Sequence, residues 1–208
     1  IPEIVVEAKK RGIKTIIDGA HVPAHISLNI KELDPDYYTG ALHKWLCCPK
    51  GISFLYVKKE HQEGIQPMVK SWGWGEEYEE FKPSAQLHSP SRFINVFQWQ
   101  GTKDMSVFFT VPEAIQFQKE HDWDSVRSRC FNMVIEARNR ITEITKLPKI
   151  CPDNWLGQMA TILFPIEDTV AFKKTLYNDY QIEMPVMTHK EHTAFRISIQ
   201  GYNSETDI

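Results

Sequence analysis

The sequence predicts an α/β protein in two parts: a mainly parallel sheet with its helices over residues 1–120, and a small α+β domain over residues 121–208. Three observations predict it. A short β-branched run, Ile13 to Ile17, follows a helix end and stops at Asp18-Gly19. Two more strand-like runs, Tyr37-Tyr38-Thr39-Gly40 and Ile52 to Val57, are joined through a turn at Pro49-Lys50-Gly51. Beyond His121 the pattern becomes helix, strand, helix, strand, strand.

Taken in order, Ile4 to Lys10 reads as a helix closed by Arg11-Gly12, with glycine in the left-handed conformation. The continuous apolar run after it belongs to a parallel sheet covered on both faces, which puts Asp18 at the C-terminal edge of a strand, where open α/β sheets gather ligand groups. Leu28 to Asp34 is a short amphipathic helix or turn. Tyr37 to Gly40 is a strand whose exit carries His43-Lys44, and Ile52 to Val57 returns beside it as an antiparallel member. From Glu60 to Gln98 periodicity is lost. Ser71-Trp72-Gly73-Trp74-Gly75, followed by acidic residues within Glu76 to Glu80, reads as a long ordered loop, a kind of segment that is often functional. Val107 to Gln118 is helical despite Pro112 near its start. Asp124 is the expected N-cap of a helix to about Lys146, with Val126, Cys130, Met133, Val134, Ala137, Ile141 and Ile144 on its apolar stripe. Then follow a strand at Met159 to Phe164, a helix opened by Asp168 or Thr169 and ending at Tyr180, and strands near Ile182 to Met187 and Ala194 to Gln200.

The composition is that of a soluble globular chain: 208 residues, 42% hydrophobic, 25% charged. With 24 Lys+Arg against 27 Asp+Glu, the net charge of -3 offers no electrostatic case for nucleic acid or an anionic membrane as partner. No apolar run is long enough to span a bilayer. Four cysteines, two of them adjacent, make neither a disulfide framework nor a paired zinc spacing, so the expected setting is reducing and cytoplasmic. The chain starts at Ile1 close to a helix and stops at Asp207-Ile208 where another would begin; it is expected to be part of a longer protein.

Lys44 stands out chemically. It leaves a strand beside the large apolar residues Trp45 and Leu46, and burial disfavours the ammonium form, freeing an amine that can bond to an aldehyde. Read alone, it is equally a surface lysine in a turn. Asp18 alone is a strand-end turn aspartate, and His21 and His43 alone are structural histidines. Gly101-Thr102 alone begins a helix, and Arg196 alone is an outward strand residue.

The joint pattern resembles the class V aminotransferases, fold-type I pyridoxal-phosphate enzymes, within them the isopenicillin N epimerase-like proteins. The likeness rests on Asp18-Gly19-Ala20-His21, His43-Lys44-Trp45 with Pro49-Lys50-Gly51, and Trp99-Gln100-Gly101-Thr102-Lys103-Asp104, with Ser71-Trp72-Gly73-Trp74, Arg196-Ile197-Ser198 and Tyr202-Asn203 in support. It covers essentially the whole chain. It implies that residues 1–120 are the C-terminal part of a fold-type I large domain and that pyridoxal 5'-phosphate is the cofactor. Lys44 would hold it as a Schiff base and then move the substrate's α-proton; Asp18 would face the pyridine nitrogen and His21 the 3-oxygen. His43 would point to the phosphate. Gly101 and Thr102 would bind the phosphate of a neighbouring subunit's cofactor in a homodimer. Arg196 would grip the α-carboxylate of an amino-acid-like substrate through paired hydrogen bonds.

The resemblance also implies gaps. Ala41 stands where relatives place Ser or Asn. The N-terminal part of the large domain, with the turn that caps the phosphate and the side chain that stacks on the ring, has no counterpart. His25, Trp72, Trp74 and His88 are expected to pack structurally, the other reading being a substrate pocket. Cys47 and Cys48 are expected to be buried, Cys130 to lie in a helix and Cys151 in a connection, which disfavours persulfide chemistry. The expected activity is epimerisation, transamination or C–S lysis. The alternative is a non-catalytic fragment acting as a folding or dimerisation module.

Overall fold

The structure is a computed structural model that describes residues 1–71, 91–98 and 100–208. Trp72, Trp74, His88, Trp99 and the acidic run from Glu76 to Glu80 lie outside the described residues. The chain forms two compact units. One comprises Ile1–Pro23 and Ser27–Ala114; the other comprises Ala24–Ile26 and Ile115–Ile208.

The first unit opens with helix α1 (Pro2–Lys10), where Pro occupies a first-turn position whose N–H has no helical acceptor. Gly12 at φ 68 takes the left-handed turn that releases the chain toward strand β1 (Ile16–Asp18). Helix α2 (Ile30–Leu33) is capped by Asn29, whose side chain accepts from Glu32 N–H at 3.2 Å. Strand β2 (Tyr37–Ala41) pairs parallel with β1 and antiparallel with β3 (Ser53–Val57), in the order β1-β2-β3. The expected parallel sheet with an antiparallel return is thus present. Its expected covering on both faces is not found among the described residues: β1 is one of the two edge strands, and Ile16 within it is 77% exposed. Helix α3 (Arg92–Gln98) occupies part of the stretch read as a loop; it is short, and its buried residue is Val96. A 3-10 turn (Ser106–Phe109) then leads into helix α4 (Thr110–Glu120), with Pro112 in the first turn.

Charge ties the N-terminal ends of β1 and β2. Lys9 and Lys58 both pair with Asp34, the latter at 2.8 Å. Asp36 receives Thr15 N–H at 2.8 Å on one oxygen and bonds His61 Nε2 at 2.8 Å through the other. The hydrogen bond from Lys58, then that from Lys9, lowers the Asp34 carboxyl from 3.8 to about 2.

The second unit is built on helix α5 (Trp123–Thr145), which lies against an antiparallel sheet of β4 (Met159–Leu163), β6 (His192–Ser198) and β5 (Val186–His189), in the order β4-β6-β5. Its core joins Cys130, Met133 and Val134 of α5 to Ala160 and Ile162 of β4 and Phe195 of β6, all under 5% exposed. The N-cap is Asp122, at φ 44, instead of Asp124. Asp122 takes the hydroxyl of Ser125 at 2.6 Å, while Asp124 sits in the first turn beside Arg127. Ile144, expected on the apolar stripe, is 77% exposed in the last turn of the helix. Helix α6 (Thr169–Tyr180) opens at Asp168, whose Oδ1 accepts the N–H groups of Val170 and Ala171 at 2.9 Å. Strand β5 begins at Val186, later than expected, after the αL residue Gln181 and after Pro185, whose carbonyl still accepts Arg196 N–H at 3.0 Å. Among the described residues no helix is long and apolar enough to cross a membrane.

Two predictions follow from this packing. Ile162 is 4% exposed in the second unit's core, so Ile162→Ala should destabilise that unit by about 3 kcal/mol in denaturant unfolding. A loss below about 1 kcal/mol would contradict the packing. For Asp34 the folded pKa lies below the unfolded one, so its stabilisation is complete above about pH 4 and is lost as pH falls toward about 2. Asp34→Asn should therefore flatten the stability–pH curve in that interval; an unaltered slope would show that the lysine pairs contribute nothing.

Candidate active site

Parallel pairing sets the geometry. Asp18 aligns with Thr39, so the C-terminal ends of β1 and β2 open on one edge of the sheet. Gly19 N–H donates to Thr39 O at 2.9 Å and carries the pairing one residue beyond β1. Asp18 is exposed, and its Oδ1 accepts Ala20 N–H at 3.0 Å, which bends the chain toward His21.

After β2 the loop from Leu42 to Cys48 closes on itself. Leu42 N–H donates to Ile52 O at 3.1 Å, Cys48 N–H to Leu42 O at 3.1 Å and Cys47 N–H to Lys44 O at 3.2 Å. Cys47 takes φ 60 to complete the turn. Lys44 is therefore held by a backbone-bonded loop, half-buried, with exposed His43 before it and buried Trp45 and Leu46 after it. Neither the Lys44 ammonium nor the Asp18 carboxylate has an oppositely charged partner among the described residues. The Trp45 indole Nε1–H donates to His21 Nδ1 at 3.3 Å, which ties the Asp18–His21 segment to the Lys44 loop across 24 positions of sequence.

Behind this edge lies Tyr38, a residue that local sequence did not single out. It is 1% exposed, and its ring stacks on Phe54 with centroids 6.0 Å apart. A Cβ at Gly19 would stand 2.0 Å from the Tyr38 hydroxyl, which is why the residue after Asp18 has no side chain. The hydroxyl is buried without a hydrogen-bond partner. Desolvation, and then the charge of Asp18, push its pKa up.

Gly101 and Thr102 lie in the same unit on a separate segment. Gly101 has φ 94, a conformation that suits glycine, and Thr102 is exposed before the turn in which Asp104 accepts Ser106 N–H at 2.8 Å. Arg196 belongs to the second unit. It faces Thr161 across β4 and β6, half-buried, and its Nε is buried without an acceptor. His25 is also in the second unit: it is buried, and its Nε2 accepts Gln158 N–H at 2.6 Å, the packing role expected of it. Cys48 is buried and Cys130 lies in a helix, α5, as expected, but Cys47 is exposed, where the loop takes a left-handed backbone. Its thiol is nevertheless raised in pKa, by desolvation and then by Cys48, so it is not held as a ready thiolate.

The whole chain, residues 1–208, matches the family described as Aminotransferase class-V. The chain belongs to the class V aminotransferase family. It is 29% identical to the isopenicillin N epimerase of Amycolatopsis lactamdurans over 97% of its own length and 52% of that protein. It is 27% identical to the hercynylcysteine sulfoxide lyase of Schizosaccharomyces pombe over 99% of its length and 52% of that enzyme. Among solved structures, a cysteine desulfurase from Thermococcus onnurineus NA1 superposes with a TM-score of 0.73 at 18% identity, covering 100% of this chain and 53% of that one. The class V chain thus spans about half the length of the relatives it matches, and it has the fold-type I framework of pyridoxal-phosphate enzymes. The residues of the first unit fit that cofactor in two respects: an amine without a charged partner among the described residues on a fixed loop, and a carboxylate at the neighbouring strand end.

One consequence concerns Tyr38. Removing an unpaired buried hydroxyl relieves its desolvation cost, so Tyr38→Phe should raise stability by about 1 kcal/mol. A lowered unfolding midpoint would show that the hydroxyl is bonded in the folded chain.

Proposed function

We propose that this chain carries the lysine-bearing part of a pyridoxal-phosphate-dependent enzyme acting on an amino acid or an amino-acid-derived substrate, by epimerase, aminotransferase or C–S lyase chemistry. The observation that supports it most is the delivery of Asp18 and the Lys44 loop to one sheet edge, tied by the bond from Trp45 to His21. When bound, the cofactor supplies an electron sink for the carbanion left after loss of an α-proton.

The remaining work falls to the chain's own groups. The Lys44 amine would hold the cofactor's aldehyde carbon and would move the α-proton of the substrate. Asp18, with no cationic partner among the described residues, would keep the pyridine nitrogen protonated. His21 would serve the 3-oxygen, and His43, exposed beside the lysine, the phosphate. Arg196 binds the substrate carboxylate with its planar fork. Gly101 and Thr102 serve the phosphate of a second copy of the protein, making a homodimer the proposed assembly. A reducing cytoplasmic setting fits four free cysteines.

The test is spectroscopic. Pyridoxal phosphate added to the purified protein should give a visible absorption band that borohydride fixes to one peptide, the one containing Lys44. Lys44→Ala should abolish both band and adduct; a band that survives this change would sink the assignment.

A further inference from the structure

The bond between Trp45 and His21 fixes more than a distance. An indole N–H can only donate, so the imidazole nitrogen it meets must carry a lone pair. His21 Nδ1 is that nitrogen, 3.3 Å from Trp45 Nε1. Neutral imidazole has one N–H, which must then be at Nε2. Trp45 is itself 7% exposed, in a loop closed by three backbone hydrogen bonds, so the indole is fixed in place and the imidazole responds to it.

We infer that Trp45 is a positioning residue that sets the tautomer of His21, so that His21 presents an N–H donor at Nε2 to the 3-oxygen of pyridoxal phosphate. The inference rests on the reading of Lys44 and Asp18 given above. The 3-oxygen carries negative charge in the bound cofactor, and a lone pair aimed at it would repel where an N–H attracts. The opposite tautomer would place a proton at Nδ1 facing the indole N–H, two donors with no acceptor between them. The aromatic residue following the lysine therefore orders a side chain that lies 24 positions away from it. A histidine oriented by a second group is a recurrent arrangement wherever its other nitrogen must do specific work.

The experiment has two parts. Nitrogen-15 shifts of His21 in the chain without cofactor, near neutral pH, should report the Nε2–H tautomer. The Nδ1–H form would overturn the inference, and this holds whether or not pyridoxal phosphate binds. The second part is a double-mutant cycle on pyridoxal-phosphate affinity, followed by the visible band. Trp45→Phe, which keeps most of the ring packing and removes the donor, should weaken affinity by about tenfold. In a His21→Gln background, where the amide can turn its own NH₂ toward the oxygen, the same change should matter by less than about twofold. Equal losses in both backgrounds would mean that the indole acts by packing alone and would overturn the inference. If Trp45→Phe does not fold, the tautomer measured in the unmodified chain decides. A band independent of Lys44 would instead defeat the underlying assignment, which the tautomer measurement does not depend on.

Discussion

The parallel pairing of β1 with β2 is the constraint on which the candidate site depends. Two parallel strands end on the same edge, so the residue closing one and the loop leaving the other must be neighbours there. In this chain those are Asp18 and the loop from Leu42 to Cys48. An antiparallel register would have sent them to opposite ends of the sheet, and no choice of side chains could have restored the arrangement. The absence of a side chain at Gly19 belongs to the same constraint, since the strand end must pass within contact of the Tyr38 phenol.

Much of this was legible in the sequence because it is local. A β-branched run ending at an aspartate, a turn built on Pro49-Lys50-Gly51 and an apolar return specify strands and their sense through chemistry within a few residues. Asp168 could be read as a cap for the same reason. What local chemistry leaves open is pairing at a distance. Trp45 reads as an apolar neighbour of Lys44 until the fold brings it to His21, and Tyr38 reads as one strand aromatic among several until its hydroxyl meets Gly19. The errors share that origin. Asp124 and Asp122 both suit a helix start, and a left-handed backbone at Asp122 decides between them. Ile144 continues the helical period of α5 into its last turn, where it is exposed. Cys47 sits in an apolar run yet faces outward, because the loop needs positive φ at that point.

Buried polar groups in the second unit follow a different logic from those of the candidate site. Gln158 donates to Ile199 O at 2.9 Å and to Gln200 Oε1 at 3.3 Å, while its backbone N–H meets His25. Gly157 leaves room for that imidazole: a Cβ there would stand 2.4 Å from Nε2. These groups bond one another and so favour one packing of the unit, although Gln158 Oε1 is itself buried without a partner among the described residues. The bond to Gln158 gives His25 the packing role expected of it.

Charge separates scaffold from site in both units. At the N-terminal ends of β1 and β2, Lys9 and Lys58 share Asp34 and His61 meets Asp36, so each of these carboxylates has a partner within the fold. In the second unit the buried Arg138 meets Cys151 O at 3.0 Å and Asp153 through its terminal nitrogens, while its Nε, like that of Arg196, has no acceptor among the described residues. Asp18, Lys44 and Arg196 have no such partners among the described residues. A half-buried guanidinium nitrogen without an acceptor, and a half-buried amine without a carboxylate, lose hydration and receive nothing in return within the chain. Folding stability gives no reason to keep them in that state, whereas a carboxylate-bearing substrate and an aldehyde-bearing cofactor would satisfy each one. Lys44 and Arg196, which the family pattern marks for chemistry, are thus among the groups that the fold leaves without a partner among the described residues.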